Sequence, residues 1–144
     1  PALIRKFHEA RTSGAKSVTL WGTGAPRREM LYSDDMAEAC VAMMELPDPE
    51  FDRLVSSDPT SPQPPLVNIG WGEECTIQEL AKRVRDAIGF QGKIEWDTSK
   101  PDGTPRKLLD VSRMKALGWS PRVRLEDGLK KAYEDYLARF SQKA

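Results

Sequence analysis

A small mixed α/β domain is the fold class this sequence predicts. Three observations carry that prediction. Stretches with helical apolar spacing alternate with short β-prone runs. The chain is 39% hydrophobic and 31% charged, the balance of a folded domain rather than a disordered one. Its 144 residues suit a single domain over 1–144. The readable strands are too few for a complete doubly wound sheet.

Taken in order, Ala2 to Thr12 reads as a helix. Leu3, Ile4, Phe7 and Ala10 make one apolar stripe, and Ser13-Gly14 stops it. Ser17–Trp21 is β-prone, and Gly22-Thr23-Gly24-Ala25-Pro26 reads as a turn. Glu29–Tyr32 is expected as a short strand. Ser33 then suits an N-cap, with Asp34 and Asp35 in a first turn where the helix dipole favours negative charge. Met36, Cys40, Met43 and Met44 are expected to be the buried face of that helix, which Pro47 and Pro49 end.

Residues 47–65 hold six prolines among polar and acidic residues and read as a Pro-rich surface loop. Leu66–Ile69 is expected as a strand. Thr76 and Glu79 have capping-box spacing. The helix they open carries Ile77, Leu80, Ala81, Val84, Ala87 and Ile88 on one face, and Gly89 closes it. Lys93–Trp96 reads as a strand and Asp97–Lys107 as a long polar loop. Ser112 is expected to cap a short helix over 113–117, stopped by Gly118. Leu125–Phe140 is the last helix, with Leu129, Ala132, Tyr133, Tyr136, Leu137 and Phe140 inward.

Charge and composition exclude several classes of function. Lys+Arg and Asp+Glu number 22 each, so the net charge is zero, which argues against a general nucleic-acid binder but not against a local site for one small anion. No apolar run approaches the roughly 18 residues that span a bilayer, and no signal-peptide pattern opens the chain. Cys40 and Cys75 lack C-x-x-C spacing and read as buried free thiols of a cytoplasmic protein. With no initiator Met and a helical pattern from the first residues, the chain is expected to be the C-terminal part of something longer.

No active site is legible in the residues alone. His8, the single histidine, falls on the polar side of the first helix and reads as solvated. Gly22-Thr23-Gly24 follows a strand, but no third glycine and no helix follow it, so a dinucleotide fingerprint is unsupported. Asp34-Asp35 reads as helix N-terminal charge before it reads as a metal site. Two loops stand out. In Trp21–Glu29 an aromatic ring could stack on a flat ligand and Arg27 and Arg28 could meet phosphate oxygens; a core tryptophan with solvated arginines fits equally. In Lys100–Lys107, Asp102 offers an acceptor for a hydroxyl, and Arg106 and Lys107 offer anion contacts; an ordinary charged loop is the alternative. Together they suggest a small, flat, phosphorylated ligand.

Taken as a set, these strings resemble a known family. The carriers are PALIRKFHEA, VTLWGTGAPRREMLYSDDMAEACVAMMEL, the run from VNIGWGEE through DTSKPDGTPRKLLDVSRMKALGW, and LEDGLKKAYEDYL. Over nearly its whole length the chain resembles the C-terminal half of the GDP-L-fucose synthase family. These are extended short-chain dehydrogenase/reductases, of the NAD-dependent epimerase/dehydratase kind, that act on nucleotide sugars. The resemblance implies a small substrate-binding domain whose N-terminal Rossmann half is missing. It implies that the whole enzyme, a homodimer, epimerises GDP-4-keto-6-deoxy-D-mannose at C3 and C5 and reduces C4 with NADPH to give GDP-L-fucose. The family's catalytic Ser, Tyr and Lys, its Cys/His pair and its NADP loop would lie upstream, so no catalytic residue and no bound cofactor is expected in this chain alone.

By the same resemblance, Lys6 lies near the pyrophosphate, Trp21 by the nucleotide end, Arg28 on the phosphates and Asp102 at a substrate contact. Leu3 and Leu20 line the guanine pocket, and Lys93 and Lys107 are basic groups near the nucleotide. Gly70-Trp71-Gly72, Met30 and the long 47–65 segment depart from the family pattern. The competing readings are a catalytically dead nucleotide-sugar module, the matching half of another epimerase or dehydratase, and a protein-interaction domain.

Overall fold

The structure, a computed structural model, describes residues 2–55 and 66–140. In chain order its elements are α1 (Ala2–Thr12), β1 (Ser17–Trp21), β2 (Arg27–Glu29), α2 (Ser33–Met44), α3 (Asp48–Val55), β3 (Glu74–Thr76), α4 (Ile77–Ile88), β4 (Lys93–Asp97), β5 (Arg106–Lys107), α5 (Ser112–Ala116) and α6 (Leu125–Phe140). The mixed α/β class follows. The described residues form two compact units, each interrupted in sequence. One takes the described residues of Pro1–Arg28, Glu74–Leu108 and Arg124–Ala144, the other those of Glu29–Glu73 and Leu109–Val123.

In the first unit β1 and β4 pair in parallel, setting Ser17 beside Lys93 and Trp21 beside Asp97. Parallel neighbours need a crossover connection, and α4 lies on it. The core lies where α1, α4 and α6 pack with this strand pair. Ile4 and Phe7 of α1 meet Val18 and Leu20 of β1 and Leu80, Val84 and Ile88 of α4. Phe7 and Phe90 sit with ring centroids 5.7 Å apart in a tilted pair. The capping box is present: the amide N–H of Glu79 donates to Thr76 Oγ1, while the Thr76 N–H donates to the Glu79 carboxylate. The Thr76 amide foremost, and then the Thr76 hydroxyl, which also donates to this carboxylate, hold the Glu79 carboxyl below its ordinary pKa. The second sheet runs β3-β2-β5.

His8 is not solvated. It is half-buried, with Nδ1 3.0 Å from Tyr133 Oη and its ring edge-on to Tyr136. Phe140, expected inward, ends α6 exposed. The strand expected over Lys93–Trp96 is present and one residue longer, Lys93–Asp97, whereas the three-residue β2 lies at 27–29, earlier than Glu29–Tyr32.

In the second unit the expected inward face of α2 is wrong by one position. Asp35 and Ala39 are buried, while Met36, Cys40 and Met44 are exposed, Met44 at 84%. The cause is Asp35, whose two oxygens accept the N–H groups of Arg122 (3.2 Å) and Val123 (2.9 Å). A buried carboxylate held by two amides sets the rotation of the helix more firmly than a methionine stripe does. It also removes Asp35 from any metal reading. Ser33 is the first helical residue rather than the cap; Tyr32 is the cap and makes no side-chain capping bond.

The Pro-rich segment is not all loop, since α3 occupies 48–55; the part at 56–65 lies outside the described residues. Leu66–Ile69 forms no strand. Side chains hold the neighbouring backbone instead: Glu29 accepts the N–H groups of Gly72 and Leu109, and Asn68 Nδ2 donates to Asp110 O at 3.1 Å. The short helix α5 has Val111, not Ser112, as its N-cap, and Asp110 Oδ1 accepts the Ser112 N–H at 2.9 Å. Both cysteines are free; Cys75 is buried, which pushes its thiol pKa up, and Cys40 is exposed. Among the described residues no helix is long and apolar enough to cross a membrane.

Candidate functional site

The site is assembled from the loop that follows β1 and the loop that follows β4. Strand alternation sends Val18 and Leu20 into the core and turns Trp21 outward, where it is 70% exposed. The chain then bends through Gly22 and Gly24 at φ 77° and 74°. A Cβ on Gly22 would lie 2.2 Å from Asp102 Oδ1, and one on Gly24 would lie 2.6 Å from the Trp96 ring. Both conformation and space therefore demand glycine at these two positions. The carbonyls of Gly24 and Pro26 accept the N–H groups of Gln78 (2.9 Å) and Ile77 (2.8 Å), two donors that the start of α4 would otherwise leave unpaired.

Asp102 joins the two loops. It accepts the Thr23 hydroxyl at 2.6 Å and the Thr23 N–H at 2.8 Å. These bonds, the hydroxyl's first, hold its carboxyl below the ordinary aspartate pKa. Ahead of it, Asp97 Oδ1 accepts the N–H and hydroxyl of Ser99 and its carbonyl accepts the Lys100 N–H, forming the turn. That turn sets Lys100 Nζ 6.0 Å from the centroid of the Trp21 ring.

The small sheet sorts four cations. Its β2 and β5 run parallel, with Arg27 beside Arg106 and Arg28 beside Lys107. Arg27 Nε donates to Glu74 Oε1 at 2.7 Å, and Arg106 Nε donates to Glu74 Oε2 at 2.8 Å. The Arg106 hydrogen bond is the leading cause that holds the Glu74 carboxyl below its ordinary pKa. Alternation along a strand turns Arg28 and Lys107 to the opposite face from this triad. Arg28 Nη1 donates to the Arg27 carbonyl at 2.6 Å, and a Cβ on Gly103 would meet Arg28 Nη2 at 3.3 Å. Among the described residues, neither Arg28 nor Lys107 forms an ion pair.

Of the residues singled out from sequence, Trp21, Arg28, Asp102 and Lys107 thus fall on one pair of linked loops. Lys6 reaches β1, with Nζ 3.3 Å from the Thr19 carbonyl. Leu3 is half-buried against the core. Leu20 is 5% exposed inside that core, so its side chain is not free to line a pocket. Lys93 pairs with Ser17, at the opposite end of β1 from Trp21; four residues of strand separate those ends by about 13 Å. Two residues of the arrangement, Thr23 and Glu74, were missed. A hydroxyl between two loop glycines is a weak local signal for Thr23, and Glu74 has none. The 22–24 loop does not fit a dinucleotide phosphate either. Asp102 and Trp96 crowd both glycines, and β2 follows where a phosphate cradle has a helix N-terminus.

Comparison with known proteins gives this site a setting. Residues 1–55 match the model of the NAD dependent epimerase/dehydratase family. The chain is 50% identical over 137 residues to GDP-L-fucose synthase 1 of Arabidopsis thaliana, covering 95% of this chain and 38% of that protein. It is 46% identical to GDP-L-fucose synthase of Escherichia coli (strain K12), covering 95% and 41%. Among solved structures, MlghC, a GDP-mannoheptose C4 reductase from Campylobacter jejuni with NADP bound, superposes with a TM-score of 0.79 at 38% identity, covering 94% of this chain and 43% of that one. The chain spans about two fifths of the length of the curated relatives it matches. The chain is thus similar to the C-terminal part of the GDP-L-fucose synthases, and its first 55 residues match the NAD dependent epimerase/dehydratase family.

Proposed function

We propose that this chain is the part of a GDP-L-fucose synthase-type enzyme that binds the GDP-sugar. The observation that carries the reading is Arg28 and Lys107, neighbours across a strand pair with no carboxylate partner among the described residues, next to a loop that holds an exposed Trp21. A diphosphate supplies the charge those two groups lack, and each charge-assisted contact contributes roughly 1.5–3 kcal/mol. Trp21 offers a face for the guanine base, and Lys6 a further cation bonded to β1 at the Thr19 carbonyl. Asp102 keeps the two loops in register and, with lone pairs to spare beyond Thr23, accepts a ligand hydroxyl.

In this reading the whole enzyme converts GDP-4-keto-6-deoxy-D-mannose to GDP-L-fucose by 3,5-epimerisation and NADPH-dependent 4-reduction. The keto group acidifies the neighbouring carbons, so an acid/base pair can invert them. The groups that move protons and hold NADPH belong to the rest of the enzyme. The residues of this chain hold the nucleotide, and that remote binding energy positions the sugar for reaction.

Calorimetry of the chain with GDP, UDP and dTDP tests the proposal. GDP should bind tightest. A preference for UDP would assign the chain to a different nucleotide sugar, and heat-silent titrations with all three would remove the nucleotide site.

A further inference from the structure

Glu74 stands outside the proposed ligand contacts, yet it sets the cation layout on which they depend. It is the only carboxylate among the described residues that bridges two arginines from different strands, Arg27 of β2 and Arg106 of β5. Its side chain is 13% exposed, far less than either arginine, so the bridge is anchored on the acid rather than held between two mobile tips. Both bonds use the guanidinium Nε–H, which lies close to the strand and so constrains the backbone more than a terminal nitrogen does. Arg27 and Arg106 are register partners, and the next pair along is Arg28 and Lys107. Fixing the first pair on one face fixes the second pair on the other.

We infer that Glu74 is a positioning residue for the diphosphate site. It engages Arg27 and Arg106 through one carboxylate, leaves Arg28 and Lys107 as the cations a ligand meets, and holds β2 against β5 so that these two stay side by side. Without the Glu74 charge, the two bridged arginines are released, and the strand of only two residues that carries Lys107 loses its side-chain anchor. This rests on the nucleotide-binding reading above, and goes beyond it by naming a residue that touches no ligand.

The test is a double-mutant cycle on the full chain, read by calorimetry with GDP and with inorganic pyrophosphate. Arg28→Ala tests the underlying reading: an unchanged affinity for both probes would retire the phosphate role itself, whatever Glu74 does. With that role intact, Glu74→Gln should weaken both probes about tenfold. The loss should all but vanish in the Arg28→Ala background, because the residue acts through the cation it positions. A general loosening of the fold would lower affinity equally in both backgrounds, and that result overturns the inference, as does a Glu74→Gln chain that binds like the parent. Should Glu74→Gln lose its cooperative melt, Arg106→Lys keeps the charge but gives up the planar Nε–H grip. It should give the same Arg28-dependent loss, and parent-like binding there overturns the inference.

Discussion

Thr23 and Asp102, 79 residues apart in sequence, are joined by two hydrogen bonds, one from the Thr23 hydroxyl at 2.6 Å and one from its amide at 2.8 Å. The pair turns two separate loops into one surface. It also makes that surface sensitive to acid. The folded-state pKa of Asp102 is depressed by the Thr23 hydroxyl and amide. The stability it contributes is therefore present above the ordinary aspartate pKa and lost as pH falls through the lower, folded value. Thr23→Val removes the larger of the two causes. The Asp102 titration midpoint, read from side-chain carboxyl 13C shifts, should rise toward the ordinary range. A midpoint that stays put would mean the bond does not stabilise the carboxylate.

Trp21 is the simplest test of the base platform. At 70% exposed it contributes little to the core, so Trp21→Ala should leave the melting temperature near that of the parent. Losing a stacked base should weaken GDP by about 1–3 kcal/mol and leave pyrophosphate binding unchanged. Equal loss on both probes would show that the indole does not meet the base.

Gly24→Ala should destabilise the fold. The residue has φ 74°, and its Cβ would enter the ring of Trp96. Strain and overpacking together cost about 2 kcal/mol or more, enough to lower the melting temperature by several degrees. A parent-like melt would mean the loop backbone moves freely away from Trp96.

Arg28→Ala should weaken GDP by at least about 1.5 kcal/mol, with a smaller salt dependence than the parent. Lys107→Ala should act in the same direction. The two losses should not add, because the cations are adjacent in the ladder and share one ligand.

What the sequence disclosed divides by distance along the chain. Helix α4 was legible at both ends because its signals are local: Thr76 and Glu79 at the start, Gly89 at the close. Helices α1 and α6 were legible from periodicity and strand β1 from its β-prone residues. The facing of α2 was not, because Asp35 is claimed by amides 87 and 88 residues away. The setting of His8 was hidden for the same reason, its partner Tyr133 lying 125 residues on. In the candidate site the exposed tryptophan and the basic residues could be picked out by type. That Arg28 and Lys107 are neighbours, with Arg27 and Arg106 drawn off to Glu74, depends on a ladder of two register pairs that no local pattern announces. Leu20 and Lys93 show the converse: their residue types suited a pocket, but strand alternation buries one and register carries the other to the far end of β1.

The claim on which all of this turns is that the loops at 21–28 and 100–107 form a single nucleoside-diphosphate site. A 1H–15N titration of the chain with GDP addresses it directly, because the chain has four tryptophan indoles as built-in reporters. The indole of Trp21 and the amides of both loops should shift together along one saturable curve, while the indoles of Trp71 and Trp119 stay still. Shifts confined to one loop, or centred on Trp71 and Trp119, would contradict the account.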